Sequence, residues 1–266
     1  MKTVVGVLLL ALPLAAETSV ERGKRVVDEA IQALGGQAFL NVKDRVEMGR
    51  AYSFYREELS GLAKAKLYTR YLTPPDPPTS KFIAVRERQS FGEEETAYVL
   101  LGEDYGYDVT FRGARPVPAA TLERFKESTL RNIFYIMRMR LNEPGISLES
   151  KGSEVVDNAR VESVEIVDAD NRQIMVYFDA NSKLPTKQVT MRREPNRDRA
   201  VEEVTLYSKY RDVGGGVMWP FAIQRERDGD KVFSLFSESV VINQDLTDNM
   251  FTLSSDIKVI DKSKKK

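Results

Sequence analysis

The chain has 266 residues, and its 40 basic residues balance its 40 acidic ones, so no net charge favours a nucleic acid as partner. It contains neither cysteine nor histidine, which excludes disulfides, thiol and histidine catalysis and nearly all zinc, copper or haem sites. With 42% hydrophobic and 30% charged residues, the composition is that of a globular protein with a sizeable core.

The N-terminal sixteen residues, MKTVVGVLLLALPLAA, have the order of a secretory signal peptide. Lys2 precedes an apolar run, Pro13 breaks that run, and the small residues Ala15 and Ala16 follow. We expect cleavage after Ala16 and an exported mature chain; the alternative is a buried N-terminal helix. No later stretch is long and apolar enough to span a membrane, so we expect no transmembrane segment in the mature chain.

The next segment, SVERGKRVVDEAIQALGG, has apolar residues at helical spacing, with Ser19 as a candidate N-cap and Gly35 and Gly36 as the stop. Alternating patterns then predict strands over residues 45–56, 63–72, 81–89, 96–102 and 105–111. In the first of these, Val46, Met48 and Tyr52 share one face. The proline-rich TPPDPP at 73–78 predicts an irregular loop, because proline cannot donate to a strand ladder.

A second helix is predicted over 117–141, where apolar residues form one stripe and NEPG follows. Six further strands are predicted over 159–168, 172–180, 185–194, 201–213, 217–227 and 231–242. About eleven strands and two helices exclude a parallel sheet built from alternating strands and helices. We expect one domain over 17–257, followed by a lysine-rich disordered tail over 258–266.

The last strands carry apolar residues on both faces, as in KVFSLFSESVVI, so both faces of the sheet must be covered. A sheet of this size curls on itself, and the two apolar helices are the candidates to cover its inner face. The predicted fold is therefore mainly β (α+β): a large, curved, antiparallel sheet forming an incomplete barrel covered by one or two helices. The pattern leaves open whether the barrel is filled or keeps a cavity.

Three sequence segments resemble the LolA/LolB-like fold family, and within it the bacterial outer membrane lipoprotein-sorting protein group. They are VYFDANSKLPTKQV, LYSKYRDVGGGVMWPFAIQRERDG and INQDLTDNMFTL. The resemblance covers roughly residues 40 to 253. It implies an incomplete antiparallel barrel closed by helices, in a family that includes periplasmic lipoprotein carriers, an outer-membrane lipoprotein receptor and part of an envelope-stress regulator. We expect no cofactor and no metal. The carriers' cargo-gating arginine is not matched to a position; Arg50, Arg56 and Arg70 all lie in early strands.

Aromatic, methionine and leucine residues on the predicted strands and second helix are the candidate lining of an acyl-chain cavity. These candidates are Met48, Tyr52, Phe54, Leu67, Tyr71, Phe82, Phe111, Phe134, Met137, Trp219 and Phe221. The alternative for each is ordinary core packing. The acidic runs FGEEETAY and GEDYGYD are typical of turns between strands, and no catalytic residue is predicted.

These observations predict a non-enzymatic periplasmic protein that holds a lipid, or the acyl chains of a lipoprotein, in a half-barrel. Burial of methylene groups would supply the affinity without a charged anchor. The alternative is an envelope interaction or sensor module of the same fold, with a filled core, an exposed apolar patch and a protein partner.

Overall fold

The computed structural model describes residues 17–193 and 199–260, and the strands in this part of the chain form one antiparallel sheet of thirteen strands. The strands are β1 Asp44–Tyr55, β2 Glu58–Tyr71, β3 Val85–Phe91, β4 Ala97–Leu101, β5 Gly106–Thr110, β6 Gly113–Pro116, β7 Ser147–Val156, β8 Ala159–Val167, β9 Gln173–Asp179, β10 Pro185–Arg192, β11 Val201–Asp212, β12 Met218–Arg227 and β13 Asp230–Ile242.

The sheet consists of two meanders joined where the first strand meets the last. Strands β1 to β6 follow one another outward on one side of β1, and β13 to β7 follow one another outward on the other side. β6 and β7 are the two edges and do not pair, so the sheet is not closed. The predicted fold class, a large antiparallel sheet with few helices, is confirmed.

Two strands were missing from the predicted set, and both are edge strands. β6 has only four residues, too few to show a period of two. β7, with the sequence SLESKGSEVV, is mostly polar because little of it is buried. An edge strand packs on fewer neighbours, so its sequence carries a weaker apolar signal.

Four α-helices accompany the sheet in the described residues: α1 Ser19–Ala33, α2 Gln37–Leu40, α3 Ala119–Arg131 and α4 Ile133–Met139. A 3₁₀ turn spans Asp248–Met250. Helix α1 begins one residue earlier than predicted, at a capping box in which Thr18 and Glu21 exchange hydrogen bonds. It packs closely on β7, since a Cβ on Gly23 would lie 2.6 Å from the carbonyl oxygen of Leu148.

The predicted second helix is two helices. Asn132 has extended backbone angles, φ −72° and ψ 124°, and its side chain accepts a hydrogen bond from the Tyr135 N–H at 3.2 Å. It therefore ends α3 and caps α4. The break turns α4 into the sheet, where six of its seven residues are buried. A helix buried on all sides shows no single apolar stripe, which explains why the sequence pattern did not separate it from α3.

Two hydrophobic clusters meet at α4. The larger one joins α1, α2 and α4, through Phe134 and Met137, to the inner faces of β8, β9, β11, β12 and β13. The smaller one joins α3 and α4, through Tyr135 and Met139, to β3 and β4. One short helix can contact both meanders of the sheet only if the sheet curves around it. We call the face toward α4 the inner face.

The C-terminal segment, residues 243–260, crosses the outer face of the first meander. The carboxylate of Asp44 accepts hydrogen bonds from the N–H groups of Gln244 at 2.6 Å and Leu246 at 3.1 Å. Arg70 donates to the Leu246 carbonyl, and the Ile260 N–H donates to the Ala114 carbonyl in β6. The predicted tail at 258–266 thus begins inside this contact, and residues 261–266 lie outside the described part.

The predicted signal peptide, residues 1–16, also lies outside the described residues and stays a prediction. None of the helices in the described ranges is long and apolar enough to cross a membrane.

Candidate functional site

The inner face has an open part beyond α4, which we call the trough. The strand register places Ala63, Ala51, Leu235 and Ile223 in one row across β2, β1, β13 and β12. Neighbouring rows add the apolar residues Ala65 and Phe233 and also hold polar ones, Ser53, Ser237 and the exposed Arg225. Among the apolar residues, Ala51, Ala63, Ile223 and Phe233 are only half-buried. The apolar side chains that β1 and β2 contribute to these rows are small.

Below the trough, α4 fills the curved sheet. The ring of Phe134 lies 4.9 Å from that of Trp219 and 5.1 Å, edge-on, from that of Tyr207. Met137 belongs to the same cluster and is buried. Aromatic pairs at these distances add to the stability that burial provides. This lower part is a packed core.

A group of polar residues lies at the boundary between the packed core and the trough. We call it the Arg45 cluster: Arg45 and Glu47 on β1, Tyr71 on β2, Arg138 on α4 and Trp219 on β12. The guanidinium carbon of Arg45 lies 4.0 Å from the ring centre of Trp219, and Arg45 donates hydrogen bonds to Tyr71 Oη at 3.3 Å and to Thr69 Oγ1 at 3.2 Å.

Glu47 supplies a negative charge in this cluster. Its side chain is 1% exposed, its Oε2 lies 3.5 Å from Arg45 Nε, and its Oε1 accepts a hydrogen bond from Ser237 Oγ. The register places Glu47 and Ser237 in adjacent rows that lead into the trough. Glu87, also on the inner face, accepts a hydrogen bond from Gln89 and forms no ion pair with either arginine of the cluster.

Arg138 is the second cation of the cluster. Its guanidinium carbon lies 3.6 Å from the ring centre of Tyr71, and it donates one hydrogen bond to the Val42 carbonyl. Burial lowers the pKa of Arg138, the Tyr71 side chain opposes the shift, and the charge of Arg45 adds to it. Two arginines and one close carboxylate leave this cluster with an excess of positive charge.

Several donors of the Arg45 cluster have no partner. Trp219 is 6% exposed and Arg45 is 9% exposed, yet Trp219 Nε1 and the Nε atoms of Arg45 and Arg138 lack hydrogen bonds. An arginine has five N–H donors, of which Arg45 uses two and Arg138 one. Buried polar groups are normally hydrogen-bonded, so these donors call for an acceptor.

A second buried group, the Arg140 cluster, contains Arg140, Glu143, Asp168, Arg172 and Glu127. Arg140 makes four hydrogen bonds, to Glu143, to Asp168 and to the Leu130 carbonyl, at distances of 2.6 to 3.0 Å. Arg172 joins Asp168 at 3.1 Å to Glu127 of α3 at 3.0 Å. The cluster therefore fastens α3 and α4 to the turn between β8 and β9.

The pKa shifts in the Arg140 cluster follow from these contacts. Burial alone would raise the pKa of Asp168, but hydrogen bonds from Arg140 and Arg172 hold it below its ordinary value. Burial would lower the pKa of Arg140, and its bonds to Glu143 and Asp168 raise it above the ordinary value. Both charged forms are stabilised by their partners.

The structure divides the predicted lining residues into three groups. Most lie on the inner side or in the core it forms with the helices: Leu67, Tyr71, Phe82, Phe134, Met137, Trp219 and Phe221. Met48, Tyr52 and Phe54 lie on the outer face, because they alternate with Glu47 and Ala51 along β1. Phe111 is 86% exposed in the turn between β5 and β6.

Sequence reasoning missed Arg45, Glu47 and Arg138 as site residues. The signal for two of them was present: if Val46 and Met48 share a face, Arg45 and Glu47 share the other. In the residues that the structure describes, no group of three or more carboxylate, histidine or cysteine side chains has an arrangement that could hold a metal ion.

Comparison with solved structures identifies the architecture. A DUF1329 family protein from Desulfovibrio piger matches with a TM-score of 0.59 at 13% identity, covering 88% of this chain and 98% of that one. An outer membrane lipoprotein-sorting protein domain from Vibrio parahaemolyticus matches with a TM-score of 0.54 at 10% identity, covering 86% and 97%. A LolA superfamily protein from Nitrosomonas europaea matches with a TM-score of 0.53 at 13% identity, also covering 86% and 97%.

The chain has a LolA/LolB-like fold. The resemblance read from the sequence is thereby confirmed for the architecture, and identities of 10 to 13% extend the likeness to the fold alone. No protein-family model matches the chain, and no curated protein is similar to it in sequence. In this LolA/LolB-like sheet, the trough and the Arg45 cluster form the candidate site.

Proposed function

We propose that the protein is a non-enzymatic periplasmic binding or carrier protein for a lipid, or for the acyl chains of a lipoprotein. The observation that carries the proposal is the trough: an apolar, half-buried row of side chains on the concave side of a large sheet. The signal-like N-terminus supports export. Two structures that share the fold are named for lipoprotein sorting or for the LolA superfamily.

The acyl chain lies in the trough, in the space that α4 leaves open. Each methylene group removed from water contributes about 0.8 kcal/mol, so a chain of ordinary length gains several kcal/mol from contact with these strands. Replacing α4 by the ligand instead would require breaking the Arg140 cluster, which holds α3 and α4 through buried ion pairs. The trough offers apolar surface without that cost.

The test fills the trough. Ala51→Phe places a ring on the inner face of β1, and Met48→Phe places the same ring on the outer face of the same strand, where Met48 is 43% exposed. We expect mass spectrometry of organic extracts to find a stoichiometric lipid with the wild type and with Met48→Phe, and none with Ala51→Phe. Circular dichroism checks that both variants fold, and Ala63→Leu repeats the test with a smaller side chain. A folded Ala51→Phe protein that keeps its lipid would remove the trough from the proposal.

A second candidate is an envelope interaction or sensor module, and a specific observation favours it. The outer face of β1, β2 and β13 exposes Met48, Leu59, Leu62 and Phe236, and Leu62 is 58% exposed. Exposed apolar side chains that adjoin one another are typical of protein contacts.

This second candidate predicts a lipid-free protein and a periplasmic partner that co-purifies with it. The partner should be lost with Leu62→Lys and retained with Ala51→Phe. Retention of the partner with Leu62→Lys would exclude the exposed apolar residues of the outer face as its binding site, and a lipid bound in stoichiometric amount argues for the carrier.

A further inference from the structure

The inner wall beside the trough carries more positive charge and more hydrogen-bond donors than its own residues use. Arg45, Arg138 and Trp219 converge here from β1, α4 and β12, and Tyr71 contacts both arginines. In the described part of the chain, the carboxylate paired with this cluster is that of Glu47, which already accepts from Ser237 and lies 3.5 Å from Arg45 Nε.

The unpartnered donors are buried. Trp219 Nε1 has no acceptor although the residue is more than nine-tenths buried. Arg45 Nε makes no hydrogen bond, and its ion-pair partner Glu47 lies 3.5 Å away. A buried indole N–H and guanidinium N–H groups without hydrogen bonds, beside a net positive charge, match an anionic oxygen in charge and in hydrogen-bonding capacity. An acyl chain alone offers no acceptor for them.

From this juxtaposition we infer that the trough takes an amphiphile with an anionic head group, a carboxylate or a phosphate, which binds innermost against Arg45, Arg138 and Trp219 Nε1. The apolar chain then extends along Ala51, Ala63 and Leu235 toward the open end of the trough. The inference rests on the proposed function and adds the class and the orientation of the ligand.

The acceptor position lies next to the boundary between core and trough, where the three side chains converge. Glu47 stays in place and orients Arg45, so the ligand's oxygens bind the free edges of the guanidinium groups. Arginine pairs with carboxylate and phosphate through two parallel hydrogen bonds, which distinguishes these head groups from a neutral hydroxyl.

Trp219 is the only tryptophan in the chain, so its fluorescence reports directly on the site. Four probes are added to the purified protein. Dodecanoate and dodecyl phosphate are used below their micelle concentrations, dodecanol is used below its solubility limit, and inorganic phosphate is the probe without an apolar chain. We expect the two anionic amphiphiles to bind at least about tenfold more tightly than dodecanol, because charge-assisted hydrogen bonds form only with them. The stronger of the two identifies the head group as that of a fatty acid or of a phospholipid.

The outcomes separate this inference from the proposed function. If none of the amphiphiles binds by fluorescence or calorimetry, the proposed function fails as well. Equal binding of dodecanol and dodecanoate overturns the anionic head group and leaves lipid binding intact. Binding of inorganic phosphate as tight as that of dodecyl phosphate also overturns the inference, because the site would then serve a free anion.

Orientation is tested with brominated ligands, since bromine quenches tryptophan only at short range. We expect 2-bromododecanoate to quench Trp219 more strongly than 12-bromododecanoate does. Stronger quenching by the 12-bromo isomer would place the chain end innermost and overturn the inference.

Variants assign the effect to the cluster. Arg138→Met, and separately Arg45→Met, should remove most of the preference for anionic ligands while dodecanol binding changes by less than about threefold. The matched control is Arg211→Met, since Arg211 also stacks on an aromatic ring, at 4.6 Å from Phe221, but is exposed. If Arg45→Met does not fold, Arg138→Met alone decides; an unchanged preference in a folded Arg138→Met protein contradicts the inference.

Discussion

The Arg140 cluster and the Arg45 cluster are both buried groups of arginine and carboxylate, and they differ in how completely their donors are used. Arg140 has acceptors for four hydrogen bonds on three partners, and its carboxylates have further donors, Arg172 for Asp168 and the Ser80 N–H for Glu143. Arg45 and Arg138 stack on aromatic rings and keep free N–H groups, and Trp219 Nε1 has no acceptor.

The difference shows when a buried charged group is explained by the fold and when it indicates a ligand. A cluster in which every charge has a partner contributes to one fixed arrangement of chain segments, here α3 and α4 against the turn between β8 and β9. A cluster with unpartnered donors lowers stability unless something else supplies the acceptor. The first is explained by the chain alone, and the second points to a ligand.

The largest effect should follow from breaking the complete cluster. Arg140→Met leaves Glu143 and Asp168 buried without their main cation, and we expect the free energy of unfolding to fall by about 3 to 5 kcal/mol. Urea denaturation measures it. A loss below about 1 kcal/mol would mean that the four hydrogen bonds of Arg140 do not hold α4 in place.

Acid should weaken the same cluster next. The pKa values of Asp168 and Glu127 lie below their ordinary values of 3.8 and 4.5 in the folded protein, so their contribution is present above these values and is lost as the pH falls through the lower folded pKa values. We expect the urea midpoint to fall as the pH drops from about 4.5, and to fall less steeply in Asp168→Asn.

The control for this acid effect is Asp256→Asn. The pKa of Asp256 is also lowered, by a hydrogen bond from Ser254, but the residue is exposed and its charge is screened by water. Its pH profile should match that of the wild type. Identical profiles for Asp168→Asn and the wild type would exclude the Arg140 cluster as the source of acid sensitivity.

The smallest effect should come from Arg138→Met, two residues before Arg140. Arg138 has one hydrogen bond and no carboxylate partner, so removing its charge relieves a desolvation cost while methionine keeps the apolar contact with Tyr71. We expect the ligand-free protein to change by less than about 1 kcal/mol, in either direction. A loss as large as that of Arg140→Met would show that both arginines are structural and would remove the contrast between the clusters.

Much of the fold could be predicted because its signals are local. The alternation in RVEMGRAYSFYR determines which residues of β1 share a face, and the positions of turn residues separate the long strands. The short or polar edge strands β6 and β7 were missed, because their few buried side chains leave no period. The break at Asn132 was also missed, since a helix that is buried on all sides has no polar face.

The candidate site was predicted only in part, for a different reason. Phe134, Met137 and Trp219 were selected for being large and apolar, and they do lie together. Met48 and Tyr52 were selected by the same criterion and lie on the outer face. Residue type shows that a side chain favours burial, but it does not show which face of a sheet is inside.

By itself, the sequence determined the class of the fold, the spacing of the long strands, and that Arg45 and Glu47 share one face of β1. Only the tertiary structure decided that this face is the inner one and that Arg138 and Trp219 meet it there. Which face is the inner one depends on the pairing of β1 with β13, the first strand with the last, and on the packing of α4 against both meanders. Both are contacts between segments far apart in the chain. A local pattern of residues does not show which distant segment it will contact.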